Sequence, residues 1–169
     1  MADLLRPEFT TMLADRLLAG ACINLISPHG QGRRRTLRDL RQITPEYLKI
    51  FHLNMRHYKL DYKGFYDDLW GQVSDRVTHD HCFKALLKLI EETKQTSLLI
   101  LHNFDEIKRS NTLPNTYHTH FFQALNSING RSNIALLCVS EKAYPELSSS
   151  MLRIHLPTLS AQQLLKKSE

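Results

Sequence analysis

Five short runs of mostly apolar residues alternate along the chain with longer segments that carry apolar residues at helical spacing. Most of these runs are apolar throughout, as strands buried on both faces are. The runs predict strands over residues 22–26, 48–55, 97–101, 134–140 and 153–156. The longer segments predict helices over residues 5–18, 33–44, 62–77, 81–93 and 117–128, with a polar connection over residues 103–115.

Buried strands that alternate with helices predict an α/β fold with three layers, in which helices cover both faces of a parallel sheet of about five strands. The length of 169 residues fits one domain. Ligands of such sheets bind at the carboxyl ends of the strands. A candidate site is therefore expected where the ends of the first four strands meet, at residues 27 onward, 55 onward, 102–106 and 140–141.

A turn rich in proline and glycine, residues 27–32, follows the first strand and leads into a helix that opens on three arginines. Strand, glycine loop and helix form the plan of a phosphate-binding loop, because backbone N–H groups at the helix start attract anions. Our hypothesis is an anion or nucleotide phosphate site made by six residues. They are Ser27, Gly30, Gln31, Gly32, Arg33 and Arg34. A tight turn that binds no ligand is the alternative.

These motifs resemble those of the P-loop ATPases of the AAA+ and STAND groupings, especially the branch of origin-recognition and transposition ATPases. Where that family has GxxGxGK[ST], the chain has SPHGQGRR, residues 27–34. The third apolar run ends in LLIL and continues as His102, Asn103, Phe104, Asp105 and Glu106, where the family has its acidic Walker B pair. Ser140 follows the fourth run at the family's sensor position.

The departures from the family pattern fall on the residues that handle magnesium. The resemblance implies a lysine at Arg33, a magnesium-binding hydroxyl at Arg34, an aspartate at His102 and a catalytic glutamate at Asn103. Magnesium prefers oxygen ligands, which arginine and histidine do not supply. A register shifted by three residues would instead bring Asp105 to the strand end. Residues 156–160 resemble the start of the family's helical lid, and we expect the lid to be absent.

The resemblance and its departures lead to a pseudo-ATPase hypothesis. Phosphoryl transfer in the family depends on positioning around the metal, so we expect little or no hydrolysis and no metal site. The leading interpretation is a structural or regulatory subunit that binds protein partners, an active ATPase among the candidates. The first alternative is a regulatory domain that binds ATP or ADP without magnesium.

Charge adds a second alternative, direct binding of nucleic acid. The formal net charge is +5, and a basic balance favours polyanionic partners. Arg34, Arg38 and Arg41 are spaced to share one helix face, with Arg35 beside them. A solvated helix face is the structural alternative.

Other chemistry receives less support from the sequence. Three cysteines, Cys22, Cys82 and Cys138, are too far apart for a disulfide framework or a zinc ribbon. The histidine pairs at positions 79 and 81 and at positions 118 and 120 lack a carboxylate at a convincing ligand spacing. No apolar run reaches the length of a membrane span, and no signal-peptide core is present, so we expect a cytoplasmic protein without membrane contact.

Overall fold

A five-stranded parallel sheet forms the centre of the molecule. The computed structural model describes residues 3–75 and 81–166. The strands lie in the order β2-β3-β4-β1-β5, so β2, β3 and β4 are neighbours in sequence order, and β1 lies between β4 and β5. Their bounds are β1 Cys22–Ile26, β2 Lys49–Asn54, β3 Ser97–His102, β4 Ile134–Ser140 and β5 Leu152–His155. In the register of the central strands, Leu25 lies opposite Val139 on one side and Ile154 on the other.

Helices cover both faces of the sheet and bury a separate apolar layer on each. The helices are α1 Pro7–Leu18, α2 Arg33–Ile43, α3 Tyr62–Val73, α4 Phe83–Glu92, α5 Thr119–Asn126 and α6 Ala161–Lys166. Leu13 of α1 and Leu40 of α2 pack on one face with Ile100 of β3. Phe65 of α3 and Phe121 of α5 pack on the other face. The predicted three-layer α/β fold is confirmed.

The strand bounds agree with the predicted bounds to within one residue at each end. The end of β3 is the informative difference, because the strand includes His102. Asn103 then turns the chain with a φ of +56°. The shifted register that would bring Asp105 to the strand end is therefore wrong, since Asp105 lies beyond this turn.

Three helices, α1, α4 and α5, begin two residues later than predicted, and residues before each of them are used in tertiary contacts. Ahead of α4, the carbonyl of His81 accepts from the Tyr62 hydroxyl. Leu5 and Arg6 are buried ahead of α1, which begins at Pro7. Tyr117 is fully buried ahead of α5, and its hydroxyl donates to the carbonyl of Tyr58. The helix α3 ends at Val73, because Ser74 has an extended backbone, so the prediction that it runs to residue 77 is wrong. The candidate ligand His79 lies outside the described residues.

Three further sequence expectations can be placed in the fold. Cys22 and Cys138 are buried, as expected for small core residues, and Cys82 is exposed. No described helix is long and apolar enough to cross a membrane. Within residues 3–75 and 81–166, no group of three or more histidine, cysteine or acidic side chains is placed to hold a metal ion.

Candidate phosphate-binding site

The glycine loop, residues 27–32, joins the end of β1 to the start of α2. Gly30 and Gly32 have φ values of +80° and +71°, which residues with a Cβ rarely adopt. A Cβ at Gly32 would also lie 3.0 Å from the Leu5 side chain. The N–H of Ser27 donates to the carbonyl of Ser140, which fixes the start of the loop against β4. The loop therefore holds its shape through its glycines and its neighbours.

Arg6 supports the back of the loop, on the side of α1. Its guanidinium is buried and makes three hydrogen bonds, to the carbonyl of Gln31 at 2.8 Å, the Thr36 hydroxyl at 3.1 Å and the carbonyl of Pro157 at 3.0 Å. Burial lowers the pKa of Arg6, and the nearby Asp39 carboxylate opposes that shift. One side chain thus connects the glycine loop, α2 and the segment after β5.

Asp39 completes this support from inside α2. It is fully buried and accepts from the N–H of Leu5 at 2.8 Å and from Nε of Arg35 at 2.7 Å. The guanidinium of Arg35 also reaches the carbonyl of Asp3. The Arg35 charge is therefore compensated within the fold, whereas its neighbours Arg33 and Arg34 form no ion pair with any residue that the structure describes.

The front of the loop borders a cavity of about 320 Å³, here called the glycine-loop cavity. Its lining consists of His29, Gly30, Gly32, Arg33, Arg34, Arg35, Arg56 and Asn103. Nη1 of Arg33 is buried without a hydrogen bond, and Nη2 lies 3.5 Å from Nδ1 of His29. The ion pairs within the described ranges that involve arginine use Arg35, Arg56, Arg109 and Arg131. Arg33 and Arg34 thus face the cavity without a paired carboxylate.

His102 lies at the end of β3 beside this cavity, where the family pattern has an aspartate. It is 5% exposed, and its Nε2 has no hydrogen-bond partner among the described residues. Burial, together with the charges of Arg33, His52, Arg34 and Arg56, lowers the pKa of His102 to about 4. The imidazole is therefore neutral at neutral pH.

Asn103 occupies the position of the family's catalytic glutamate. Its Nδ2 donates to Oδ1 of Asn54 at 2.6 Å, while its buried Oδ1 has no partner in the described part of the chain. A carboxamide accepts and donates hydrogen bonds but does not take a proton from water at neutral pH. The side chain can orient a ligand, and it cannot act as a general base.

The two acidic residues of this segment bind other parts of the fold. Glu106 forms ion pairs with Arg56 at 3.0 Å and Lys59 at 2.6 Å, and the hydrogen bond from Lys59 lowers its pKa. Asp105 accepts from the backbone N–H of Glu141 at 3.1 Å. Neither carboxylate lines the glycine-loop cavity.

Ser140, at the sensor position, is buried in a network at the carboxyl end of β4. Its hydroxyl donates to the carbonyl of Lys142 at 2.6 Å and accepts from Nδ2 of Asn24 at 2.8 Å. The adjacent Glu141 pairs with His29 of the glycine loop. Ser140 therefore ties β4 to β1, and its neighbour reaches the loop.

A second cavity, here called the arginine cavity, lies on the other side of Arg34 and has a volume of about 330 Å³. Its lining consists of Arg34, Leu37, Arg38, Arg41, His52, Asn54 and His102. The structure thus brings Arg34, Arg38 and Arg41 together along α2, as their spacing predicts. Arg35 points to the opposite side of the helix, toward Asp39.

The side chains around the glycine loop do not fit a magnesium ion. Magnesium needs an octahedron of oxygen ligands, and proteins supply it with carboxylates. Asp105 and Glu106 are engaged elsewhere, and the two buried oxygens around the loop that have no partner among the described residues, Oγ of Ser27 and Oδ1 of Asn103, are both neutral. A divalent cation would also face the charges of Arg33 and Arg34. The donor set suits an anion.

Comparison with known proteins supports the fold assignment. No model of a known protein family matches the sequence, and no curated protein sequence matches it. A chain in the structure of Drosophila ORC bound to AT-rich DNA and Cdc6 is 17% identical, with a TM-score of 0.62 over 90% of this chain. Rif2 of Saccharomyces cerevisiae is 12% identical, with a TM-score of 0.50 over 98% of this chain.

The fold of this chain is similar to the P-loop fold of AAA+ proteins. The structural likeness and the strand order β2-β3-β4-β1-β5 establish that much. The chain spans 54% of the length of the Drosophila chain and 60% of the length of Rif2. At these identities the likeness is one of fold alone.

Sequence reasoning missed Arg6 and Asp39, which hold the loop from behind. Arg6 lies 151 residues from its partner Pro157, so no local pattern links the two. The spacing of four residues between Arg35 and Asp39 did carry a signal, because such pairs face each other on a helix. That spacing would have separated Arg35 from the other arginines.

Proposed function

We propose that this chain is a pseudo-ATPase, a P-loop subunit that assembles with protein partners and does not hydrolyse ATP. The arrangement at the end of β3 carries the proposal. Neutral His102 and the amide Asn103 stand where a hydrolase needs two carboxylates, while Asp105 and Glu106 are bound to Glu141 and to basic side chains. Without those carboxylates, neither a metal nor a base is available to activate water.

The assembly role rests on the fold and on the resemblance of the motifs. The Drosophila ORC chain that shares the fold was solved with Cdc6 and DNA. A domain of this kind that lacks hydrolysis keeps the surfaces through which it binds partners. We infer that partners are proteins, with an active ATPase as the first candidate, and that the setting is cytoplasmic.

Phosphate release from ATP tests the catalytic part of the proposal. Purified protein with magnesium should release phosphate no faster than the variant Arg33→Ala/Arg34→Ala, which lacks both free arginines of the glycine-loop cavity. A wild-type turnover approaching about 1 per second, lost in that variant, would refute the proposal, since working enzymes begin near this rate. Activity shared by both proteins would mark a contaminant.

Copurification from native cells tests the assembly part. Tagged chain should elute from size-exclusion chromatography in a complex of defined composition, with the same partner in repeated preparations. Elution as an isolated monomer at low ionic strength would contradict the assembly role.

A second candidate function is a regulatory domain that binds ATP or ADP without magnesium. The glycine-loop cavity favours it, because Arg33 and Arg34 line this cavity and Nη1 of Arg33 is buried without a hydrogen-bond partner among the described residues. Thermal unfolding with and without nucleotide in EDTA measures it. Ligand at 100 times its dissociation constant should add about 2.7 kcal/mol to the free energy of unfolding.

Direct binding of nucleic acid is a third candidate, favoured by the exposed row of Arg34, Arg38 and Arg41 along α2. Phosphate-backbone contacts would make the affinity fall steeply with salt. The triple variant to alanine should then lose the binding, whereas salt-independent or unchanged binding would exclude this row as the contact surface.

A further inference from the structure

The arginine cavity has the features of an anion site separate from the glycine loop. Arg34, Arg38 and Arg41 are exposed at its rim, and Leu37 and Asn54 lie between them and the end of β2. No carboxylate belongs to its lining, and none of the ion pairs in the described part of the chain uses these three arginines. Like charges in a concave site repel one another until an anion compensates them.

Two histidines form the inner wall of this cavity. The rings of His52 and His102 are 6.0 Å apart between centroids. Burial lowers the pKa of both, and the Arg41 charge contributes at His52. Both rings are therefore neutral at neutral pH, and a neutral ring can present one N–H to an anion without adding to the positive charge.

Nε2 of His102 gives an independent indication of a ligand. The residue is 5% exposed, and this nitrogen is buried without a partner among the residues that the structure describes. A buried polar group without a hydrogen bond costs about 1–3 kcal/mol. An anion oxygen inside the cavity would satisfy this nitrogen.

We propose that the arginine cavity binds a small phosphorylated anion without a divalent metal, with Arg34, Arg38 and Arg41 holding its charge and His102 donating from the wall. Because Arg34 also lines the glycine-loop cavity, a ligand with two linked phosphates can extend toward the loop. A small anion fits better than a nucleic-acid backbone, since a backbone lying across the rim would not reach a donor buried behind it. The arginine cavity is separate from the glycine-loop cavity. The proposal therefore does not depend on whether ATP is hydrolysed at the glycine loop.

Isothermal titration calorimetry of the intact chain with inorganic pyrophosphate, in buffer that contains EDTA, tests the proposal. The variant Arg38→Ala/Arg41→Ala removes two arginines that line only the arginine cavity. Its matched control, Arg16→Ala/Arg153→Ala, removes two exposed arginines from α1 and β5 and so gives the same net charge. Arg33→Ala reports on the glycine-loop cavity.

The expected result is saturable binding by the wild type that weakens about tenfold or more for each cavity arginine removed. The control variant should bind as the wild type does, and Arg33→Ala should lose far less affinity. Far-UV circular dichroism checks that each variant is folded, and His102→Leu, which removes the wall donor but no charge, should also weaken binding.

Four results would overturn the proposal. The first is no pyrophosphate binding by folded wild type, and the second is equal loss in the control variant, which reports only net charge. The third is loss in Arg33→Ala with retention in Arg38→Ala/Arg41→Ala, which would place the anion in the glycine loop. Steeply salt-dependent binding of an oligonucleotide, with no response to pyrophosphate, would likewise replace this proposal with the nucleic-acid one.

Discussion

The two sides of the glycine loop differ in how their charges are balanced. Behind the loop, Arg6 makes three hydrogen bonds and Arg35 pairs with the buried Asp39. In front, Arg33 and Arg34 line a cavity, and within residues 3–75 and 81–166 neither has a paired carboxylate and Nε2 of His102 has no hydrogen-bond partner. Both sides use arginine, but only the back supplies each one with acceptors.

This difference indicates that the back of the loop supports the fold and that the front binds ligands. Buried arginines with satisfied donors fix the position of a segment, because moving it would leave several polar groups unpaired. Arginines that face a cavity without acceptors gain little from the fold and interact with what enters the cavity. The back of the loop is therefore expected to determine stability, and the front to determine which ligands bind.

The largest expected effect is on the back, from Arg6→Ala. The carbonyls of Gln31 and Pro157 and the Thr36 hydroxyl would lose their donor, and Asp39 would lose a nearby cation. Removing one partner of a buried ionic group typically costs about 3–5 kcal/mol. We expect a loss of about that size in the free energy of unfolding, measured by urea denaturation.

The control for this prediction is Arg16→Ala, an exposed arginine in the last turn of α1. It should change the free energy of unfolding by no more than about 0.5 kcal/mol. If Arg6→Ala lowers the free energy of unfolding by no more than this control does, Arg6 does not stabilise the glycine loop.

A smaller effect is expected on the front when the pH falls. The pKa of His102 is about 4 in the folded chain and 6.5 for an unperturbed histidine. Between these values the unfolded chain takes up a proton that the folded chain does not, so stability decreases as the pH falls through this range. The full difference corresponds to about 3 kcal/mol.

The variant His102→Gln isolates this contribution, since glutamine does not titrate. Urea denaturation at about pH 7.5 and pH 4.5 should show that the wild type loses about 2–3 kcal/mol more than the variant. Carboxylates such as Glu106 lose their own contribution on acidification, and they do so in both proteins. Equal losses in both proteins would mean that His102 does not resist protonation.

The smallest expected effect comes from removing a front arginine. Arg34→Gln relieves repulsion with Arg33 and Arg38 and breaks no ion pair among the described residues. We expect a gain of about 0.5 kcal/mol in the free energy of unfolding at low salt, which vanishes in about 1 M salt through screening. A loss of stability instead would show that Arg34 supports the fold as Arg6 does.

Most of the fold could be predicted from the sequence because the three central strands, β1, β3 and β4, are mostly apolar and are buried along their whole length. The run at residues 134–140 is buried along its whole length, and its bounds are those predicted. The last residue of β3 was harder to predict. His102 is a polar residue, yet its side chain is only 5% exposed in the fold. Burial of a polar residue depends on its neighbours across the sheet, which local sequence does not give.

The sequence predicted the residues at the front of the candidate site but not those that support the glycine loop from behind. The glycines and arginines at positions 30–34 are contiguous and form a recognisable motif. The supporting network joins α1, α2 and the segment after β5 through contacts such as Arg6 to Pro157, which only the folded chain reveals. Whether the front residues bind nucleotide, another anion or nucleic acid stays a prediction.

We propose above all that the glycine loop of this chain has no site for magnesium. The most direct measurement is the affinity for ATP by calorimetry with magnesium and with EDTA, using Arg33→Ala/Arg34→Ala to confirm where any nucleotide binds. We expect the dissociation constant for ATP to be the same with magnesium and with EDTA, or ATP binding to be undetectable in both. Binding at the loop that tightens about tenfold or more with magnesium would contradict it.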